Sequence, residues 1–223
     1  MVRVTGDTHG KRRRLAELLR DGGWQAGDIL IVCGDFGYLF TNSEMEKEFL
    51  DAVAQMPYTV CFCDGNHENF PAIYAYPKEK WCGGWVHRIR HNVIHLMRGQ
   101  VYEIEGKKVF TMGGAYSIDK YMRMEGLSWW SEELPTDAEY HEAISNLREH
   151  GNEVDYVITH TAPREVIRKM GKYPDIHDAE LTGFLEWVMY EVRFRKWFFG
   201  HWHTDREIGE RFFAMYEDVR IME

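Results

Sequence analysis

The chain has 223 residues, of which 44% are hydrophobic and 14% aromatic, enough apolar side chain to fill a sizeable core and too much for a disordered segment. A formal net charge of −9 argues against bulk nucleic-acid binding, which relies on a basic surface, but not against a small nucleotide held through bound cations. No apolar run is long enough to span a bilayer, and residues 1–10 enter a strand pattern at once without a signal-peptide core, so the expectation is a soluble, cytoplasmic protein with no membrane partner.

Val2–Thr5 reads as a short strand, followed by a loop over 6–10 and a helix over 13–19 with Leu15, Leu18 and Leu19 on one face. Ile29–Cys33 is a continuous apolar run ending in Gly34-Asp35, which suits a strand covered on both faces. Ser43 with Glu46 has the spacing of a capping box opening a helix to about Met56. Residues 58–63 form another buried strand, ending in Asp64-Gly65-Asn66. Gln100–Ile104 and Lys107–Met112 read as a hairpin around Glu105-Gly106. A helix over 136–149, a strand over 154–159 ending at His160, a helix over 179–192 and a strand at Lys196–Phe199 follow. Two short strands, Arg206–Ile208 and 211–214, close the pattern around Gly209. Strands alternating with helices predict an α/β layered fold, taken as a single domain over 1–223. Cys33, Cys61 and Cys63 lie in apolar runs and no CxxC pair occurs, so buried reduced thiols are expected.

Polar clusters follow five of these strands: Gly6-Asp7-Thr8-His9-Gly10, Gly34-Asp35, Gly65-Asn66-His67-Glu68, His160, and Gly200-His201-Trp202-His203. Ligands of open α/β sheets gather at the carboxyl ends of strands, so five such clusters predict one shared site. Asp oxygen and neutral His nitrogen suit borderline first-row metals, and no Cys lies among them, which argues against a structural zinc site. Asp7 with His9, and His201 with His203, are each separated by one residue; on an extended segment both members of a pair face the same way. The adjacent glycines permit close backbone approach or positive φ.

The ordered series Asp-x-His, Gly-Asp, Gly-Asn-His-Glu, His, Gly-His-x-His, from Asp7 to His203, resembles the calcineurin-like metallophosphoesterase superfamily. The resemblance implies a four-layer α/β/β/α sandwich with a dimetal site between two mixed sheets. It implies that Asp7, His9 and His203 bind one metal, that Asn66, His160 and His201 bind the other, and that Asp35 bridges them. The cations would be two divalent ions, Mn²⁺ the first choice, with Fe, Zn²⁺, Co²⁺ or Ni²⁺ as alternatives. His67 would stay off the metals as transition-state stabiliser or general acid, and Glu68 would orient it through a hydrogen bond. The implied activity is hydrolysis of a phosphomonoester or phosphodiester, nucleotides included, by a metal-bridging hydroxide. A nuclease on DNA or RNA is the alternative within the fold, and a metal-free binding scaffold the alternative outside catalysis.

Gly34-Asp35-Phe36-Gly37-Tyr38 departs from the Asp-Arg-Gly of the phosphoprotein-phosphatase branch, which puts that activity in doubt. Arg123 and Tyr116, in the loop-like stretch after Gly113-Gly114, are the candidate substrate contacts. Trp129 and Trp130 are expected to pack under that loop in preference to stacking a base. Lys11-Arg12-Arg13-Arg14 is expected to be a solvated helix face. His87, His91, His95, His141, His150 and His177 match no motif and are expected on the surface or in loops.

Overall fold

The structure is a computed structural model and describes residues 1–21 and 23–223. The N-terminal half supplies β1 (Val2–Thr5), α1 (Arg12–Asp21), β2 (Ile29–Cys33), α2 (Glu44–Ala54), β3 (Thr59–Cys63), α3 (Phe70–Tyr74), β4 (Lys78–Trp81), β5 (Gly84–Arg90) and β6 (Val93–Leu96). The second half supplies β7 (Gln100–Ile104), β8 (Lys107–Met112), α4 (Asp137–Glu149), β9 (Tyr156–Thr159), α5 (Arg164–Lys169), α6 (Ala179–Glu191), β10 (Lys196–Phe199), β11 (Arg206–Ile208), β12 (Phe212–Ala214) and β13 (Arg220–Met222).

These strands form two mixed sheets, in the orders β13-β1-β2-β3-β6-β5-β4 and β11-β12-β10-β9-β8-β7. The central strands β1, β2, β3 and β6 are parallel, as are β8, β9, β10 and β12. Side-chain alternation decides what each face covers. Leu30, Val32, Val60 and Phe62 turn outward onto Leu15, Leu19, Leu50 and Val53 of α1 and α2. Their neighbours Ile31, Cys33, Cys61 and Cys63 turn inward and meet Tyr156, Ile158, Phe198 and Phe213 of the second sheet. Phe110, Val157, Trp197 and Phe199 face the other way, onto α4, α5 and α6 through residues such as Leu147, Ile167 and Leu185. The result is the four-layer α/β/β/α sandwich. Register brings the strand ends level: Thr5 pairs with Val32, Cys33 with Cys63, and Thr159 with Phe199. The loops that follow therefore open onto one edge, between the two sheets.

Several local expectations are corrected. Ser43 does cap α2 in position, but its side chain makes no capping bond; Glu46 instead accepts the amide of Thr41. A full capping box forms at Thr136 and Glu139. β4, β5 and β6 occupy a stretch that the apolar pattern does not mark. β4 is an edge strand with charged alternation, and β5 carries Arg and His among its apolar residues. His87 and His95 sit on β5 and β6 and are buried, 6% and 1% exposed, not in surface loops. Trp130 is buried against Phe40, as packing under the loop requires.

Candidate metal centre

Five residues of the expected ligand set hold left-handed backbone conformations: Asp7 (φ 42°), His9 (48°), Asp35 (49°), His201 (66°) and His203 (47°). Non-glycine residues pay for such conformations and keep them where surrounding contacts enforce them, commonly at functional sites. This corrects the extended-segment argument: Asp7 and His9 converge because the loop coils back, not through pleat alternation. The enforcing contacts are visible. The Arg14 guanidinium donates to the carbonyls of Gly6 and Asp7, both at 2.7 Å, and to that of Tyr216. Arg14 is thus a clamp on the first loop and not part of a solvated face. His9 N donates to Asp35 O at 2.7 Å and Gly10 N to Phe36 O at 2.9 Å, locking the first loop to the second. Gly34 has φ +82°, and a Cβ there would lie 2.2 Å from His160 Nδ1, so the ring packs where only hydrogen fits.

The ligand atoms of Asp7, His9, Asp35 and His203 all lie within 4.8 Å of one another. His9 Nε2 is 2.8 Å from His203 Nε2 and 3.6 Å from Asp35 Oδ2, and His203 Nε2 is 3.8 Å from Asp7 Oδ1. A second group adjoins through the same carboxylate. His160 Nε2 lies 3.3 Å from Asp35 Oδ1 and 3.0 Å from Asn66 Oδ1, and His201 Nδ1 is 3.1 Å from Asn66 Oδ1. Two orientations are fixed from outside. His160 Nδ1 donates to Cys33 O at 2.8 Å, which leaves Nε2 turned to Asp35 and Asn66. Asn66 Nδ2 donates to Ser117 Oγ at 3.0 Å, which leaves Oδ1 facing the histidines. Asp7 is anchored by the His201 amide, 2.9 Å from its Oδ1.

The electrostatics describe a site short of positive charge. Burial and the Asp35 carboxylate raise Asp7, although His160 works against them. Burial also opposes ionisation of Asp35, but His160, His67 and His9 outweigh it and hold Asp35 low. His160 is raised despite its burial, by Asp35 and Asp7. Burial chiefly drives His9 down to about 4 and His201 to about 3, so both present neutral lone pairs. Two buried carboxylates, with the neutral imidazoles of His9 and His201 beside them, fit divalent cations of the borderline class.

His67 stands beside this cluster, its ring 5.2 Å from that of His9, and its amide donates to Asp35 Oδ1 at 2.8 Å. The Arg123 guanidinium lies 3.0 Å from His67 Nδ1 and 2.9 Å from Nε2, and is held by Asp119 and the Ser128 carbonyl. Burial lowers the pKa of His67; Asp35 pulls it back up, and Arg123 pushes it further down. The expected hydrogen bond from Glu68 to His67 is replaced by another. Glu68 is fully buried and accepts the amides of Phe36 at 2.7 Å and Gly37 at 3.3 Å, so it shapes the loop bearing Asp35. Tyr116 lines the cleft, stacked on His177 at 4.3 Å, with its amide on Asp178. Arg14 holds the loop of Asp7 and Ser117 holds the Asn66 amide, and the motif pattern singles out neither.

The family model for calcineurin-like phosphoesterases matches residues 2–205. The chain belongs to the calcineurin-like phosphoesterase family. No curated protein matches it. For a calcineurin-like phosphoesterase the buried Asp/His cluster is the natural seat of divalent metal, and family and cluster together support metal-dependent hydrolysis of phosphoesters.

Proposed function

We propose that this chain is a two-metal phosphoesterase acting on mono- or diesters of small organic groups, with Mn²⁺ the preferred cation. Asp7, His9 and His203 would hold one cation, Asn66, His160 and His201 the other, and Asp35 both. The observation that carries this reading is the position of Asp35, whose Oδ2 faces His9 at 3.6 Å and whose Oδ1 faces His160 at 3.3 Å. Bound there, the cations would supply Lewis acidity for a phosphoryl oxygen and an acidified water as nucleophile.

The chain's own residues do the rest. His67 lines the cleft and Arg123 lies against it, so the pair would receive the non-bridging phosphoryl oxygens. Arg123 can only donate, so against it the free His67 is neutral. A phosphate that takes over the Arg123 N–H groups would let His67 accept a proton and pass it to the leaving oxygen. Arg123 also supplies the guanidinium that Phe36-Gly37-Tyr38 lacks relative to Asp-Arg-Gly. The cleft of about 840 Å³ beside the cluster is walled by Tyr116, Tyr173 and Trp202, which suits a flat or apolar leaving group, a nucleoside among them. Asp119, Asp175 and Asp178 also line it, and they disfavour a long polyanion.

The test is a panel on Mn²⁺-loaded protein: p-nitrophenyl phosphate, bis-p-nitrophenyl phosphate, cyclic nucleotides, phosphoserine peptides and single-stranded DNA. Turnover of the small esters, with peptides and DNA poor, is expected. A protein that carries two cations per chain by elemental analysis yet turns over none of these defeats the reading.

A further inference from the structure

Residues 113–136 join β8 to α4 and carry both Ser117 and Arg123. A connection of that length is uncommon in a compact domain unless it serves a site. Its middle has little to hold it: Ile118, Tyr121, Met122, Met124 and Leu127 are exposed, from 64% to 84%. The position of Arg123 beside His67 therefore depends on a few anchors.

Glu133, at the far end of the connection, supplies several of them. It is fully buried. Its carbonyl accepts the Ala115 amide at 3.2 Å and Arg98 Nη2 at 3.3 Å. Its Oε1 accepts the Ser117 amide at 3.0 Å and pairs with the Lys120 ammonium at 2.6 Å. Lys120 Nζ in turn stands 4.2 Å from the centre of the Tyr116 ring and 4.3 Å from that of Trp129. Asp178 takes the preceding amide, Tyr116, so two consecutive amides are held by two buried carboxylates from separate parts of the chain.

A buried carboxylate costs free energy unless it is paired and hydrogen-bonded, and an apolar side chain would fill the same space more cheaply. What the carboxylate adds is orientation, along two paths. Ser117, held through its amide by Glu133, accepts Asn66 Nδ2 on its Oγ at 3.0 Å. Lys120, held by the same oxygen, accepts the Arg123 amide on its carbonyl at 2.9 Å, and Arg123 reaches His67.

We infer that Glu133 is a positioning residue that couples the cation at Asn66 to the turn bearing Arg123. It holds Ser117 where Asn66 must present its oxygen, and through Lys120 it holds the turn that delivers the guanidinium. Each event then favours the other, since coupling between two sites is reciprocal. The inference rests on the two-metal reading for what Asn66 binds, and its readouts include two that need no turnover.

The test uses the whole protein with Mn²⁺, and His201→Ala marks which cation belongs to Asn66. Glu133→Leu should weaken that cation by ~10-fold or more, with the other retained. Glu133→Gln keeps Oε1 as an acceptor and puts its amide nitrogen where Oε2 has no partner among the described residues, so it should hold the cation within ~3-fold. In a Ser117→Ala background, Glu133→Leu should add less than ~3-fold, because both act through one amide. In metal-free protein, Glu133→Leu should speed hydrogen exchange of the amides over 116–128 while β2 and α6 keep their protection. Mn²⁺ should slow the same amides in the unaltered protein but not in Glu133→Leu. The fall in kcat/KM on p-nitrophenyl phosphate should be large in the unaltered background and small in Arg123→Ala. If Glu133→Leu does not fold, exchange in the unaltered protein with and without Mn²⁺ decides. Equal loss of both cations, losses additive with Ser117→Ala, or exchange over 116–128 indifferent to Mn²⁺ would each overturn the inference. Two bound cations with coupled exchange but no turnover would support it and defeat only the hydrolytic reading.

Discussion

Asn66 can offer its amide oxygen to a cation only while its amide nitrogen is engaged elsewhere, and Ser117 Oγ, 3.0 Å away, engages it. Ser117→Ala should free the amide to rotate and weaken the second cation by ~10- to 100-fold, with the first retained; Ser117→Thr should preserve both. Mn²⁺ binding isotherms distinguish these outcomes, and equal loss of both cations in Ser117→Ala would refute the assignment. Asp35→Asn should instead weaken both cations together, since its two oxygens face the two groups. His67→Ala should keep both and lose ~10²-fold or more in kcat, because its interaction grows as charge develops. Metal content falling in His67→Ala as far as in His201→Ala would place His67 among the ligands instead. Side-chain chemistry and order made the cluster legible in sequence, because strand-end Asp, Asn and His at close spacing have few other uses. Ser117 was not legible, since it reaches Asn66 across 51 residues and carries no motif. Glu68 misled for a related reason: adjacency to His67 suggests a partner, yet a buried carboxylate goes where unpaired amides are, here Phe36 and Gly37.

At the level of elements, the loops are as constrained as the strands. Gly34→Ala would meet both a left-handed φ of +82° and the His160 ring at 2.2 Å. It should destabilise by more than ~1 kcal/mol and disturb Mn²⁺ binding, as denaturant titration and metal analysis would show. α6 is joined to the loop of Tyr116 by Asp178, whose carboxylate accepts the Tyr116 amide at 2.7 Å. Burial raises Asp178 from 3.8 to about 6, with the amide only partly offsetting it. The folded state therefore binds this proton more tightly than the unfolded chain. The group favours folding below about pH 4, and that advantage is lost as pH rises to about 6. Asp178→Asn keeps an acceptor for Tyr116 and should stabilise the protein by about 3 kcal/mol at pH 8, the gain vanishing near pH 4. A constant difference across that range would show that Asp178 does not titrate as described. β2, β3 and the apolar ends of β9 and β10 were readable because strands covered on both faces are continuous apolar runs. β4 and β5 were hidden by their exposed side, which brings Lys, Glu and Arg into the pattern.

Across the whole molecule, the metal centre sits on the seam. Asp7, Asp35 and Asn66 come from loops of the first sheet, and His160, His201 and His203 from loops of the second. Cations bound there would join two layers that otherwise meet through apolar contacts. Mn²⁺ at about 100 times its Kd should raise stability by ~2.7 kcal/mol, and EDTA should reverse the gain. A Tm indifferent to both, in protein shown to hold metal, would contradict a site shared between the sheets. The polypeptide beyond the family-matched span closes the two sheets. β12 lies beside β10, β13 lies beside β1, and the Met215 carbonyl occupies the space a Cβ on Gly6 would need. A chain cut at residue 205 would bare the flanks of β1 and β10, the two strands that lead into Asp7 and His201. Unpaired flanks of flat, apolar strands recruit other strands. Such a fragment should self-associate, and each recruited strand would come to rest against the mouth of the metal centre, so that loss of solubility and loss of the site would be one event.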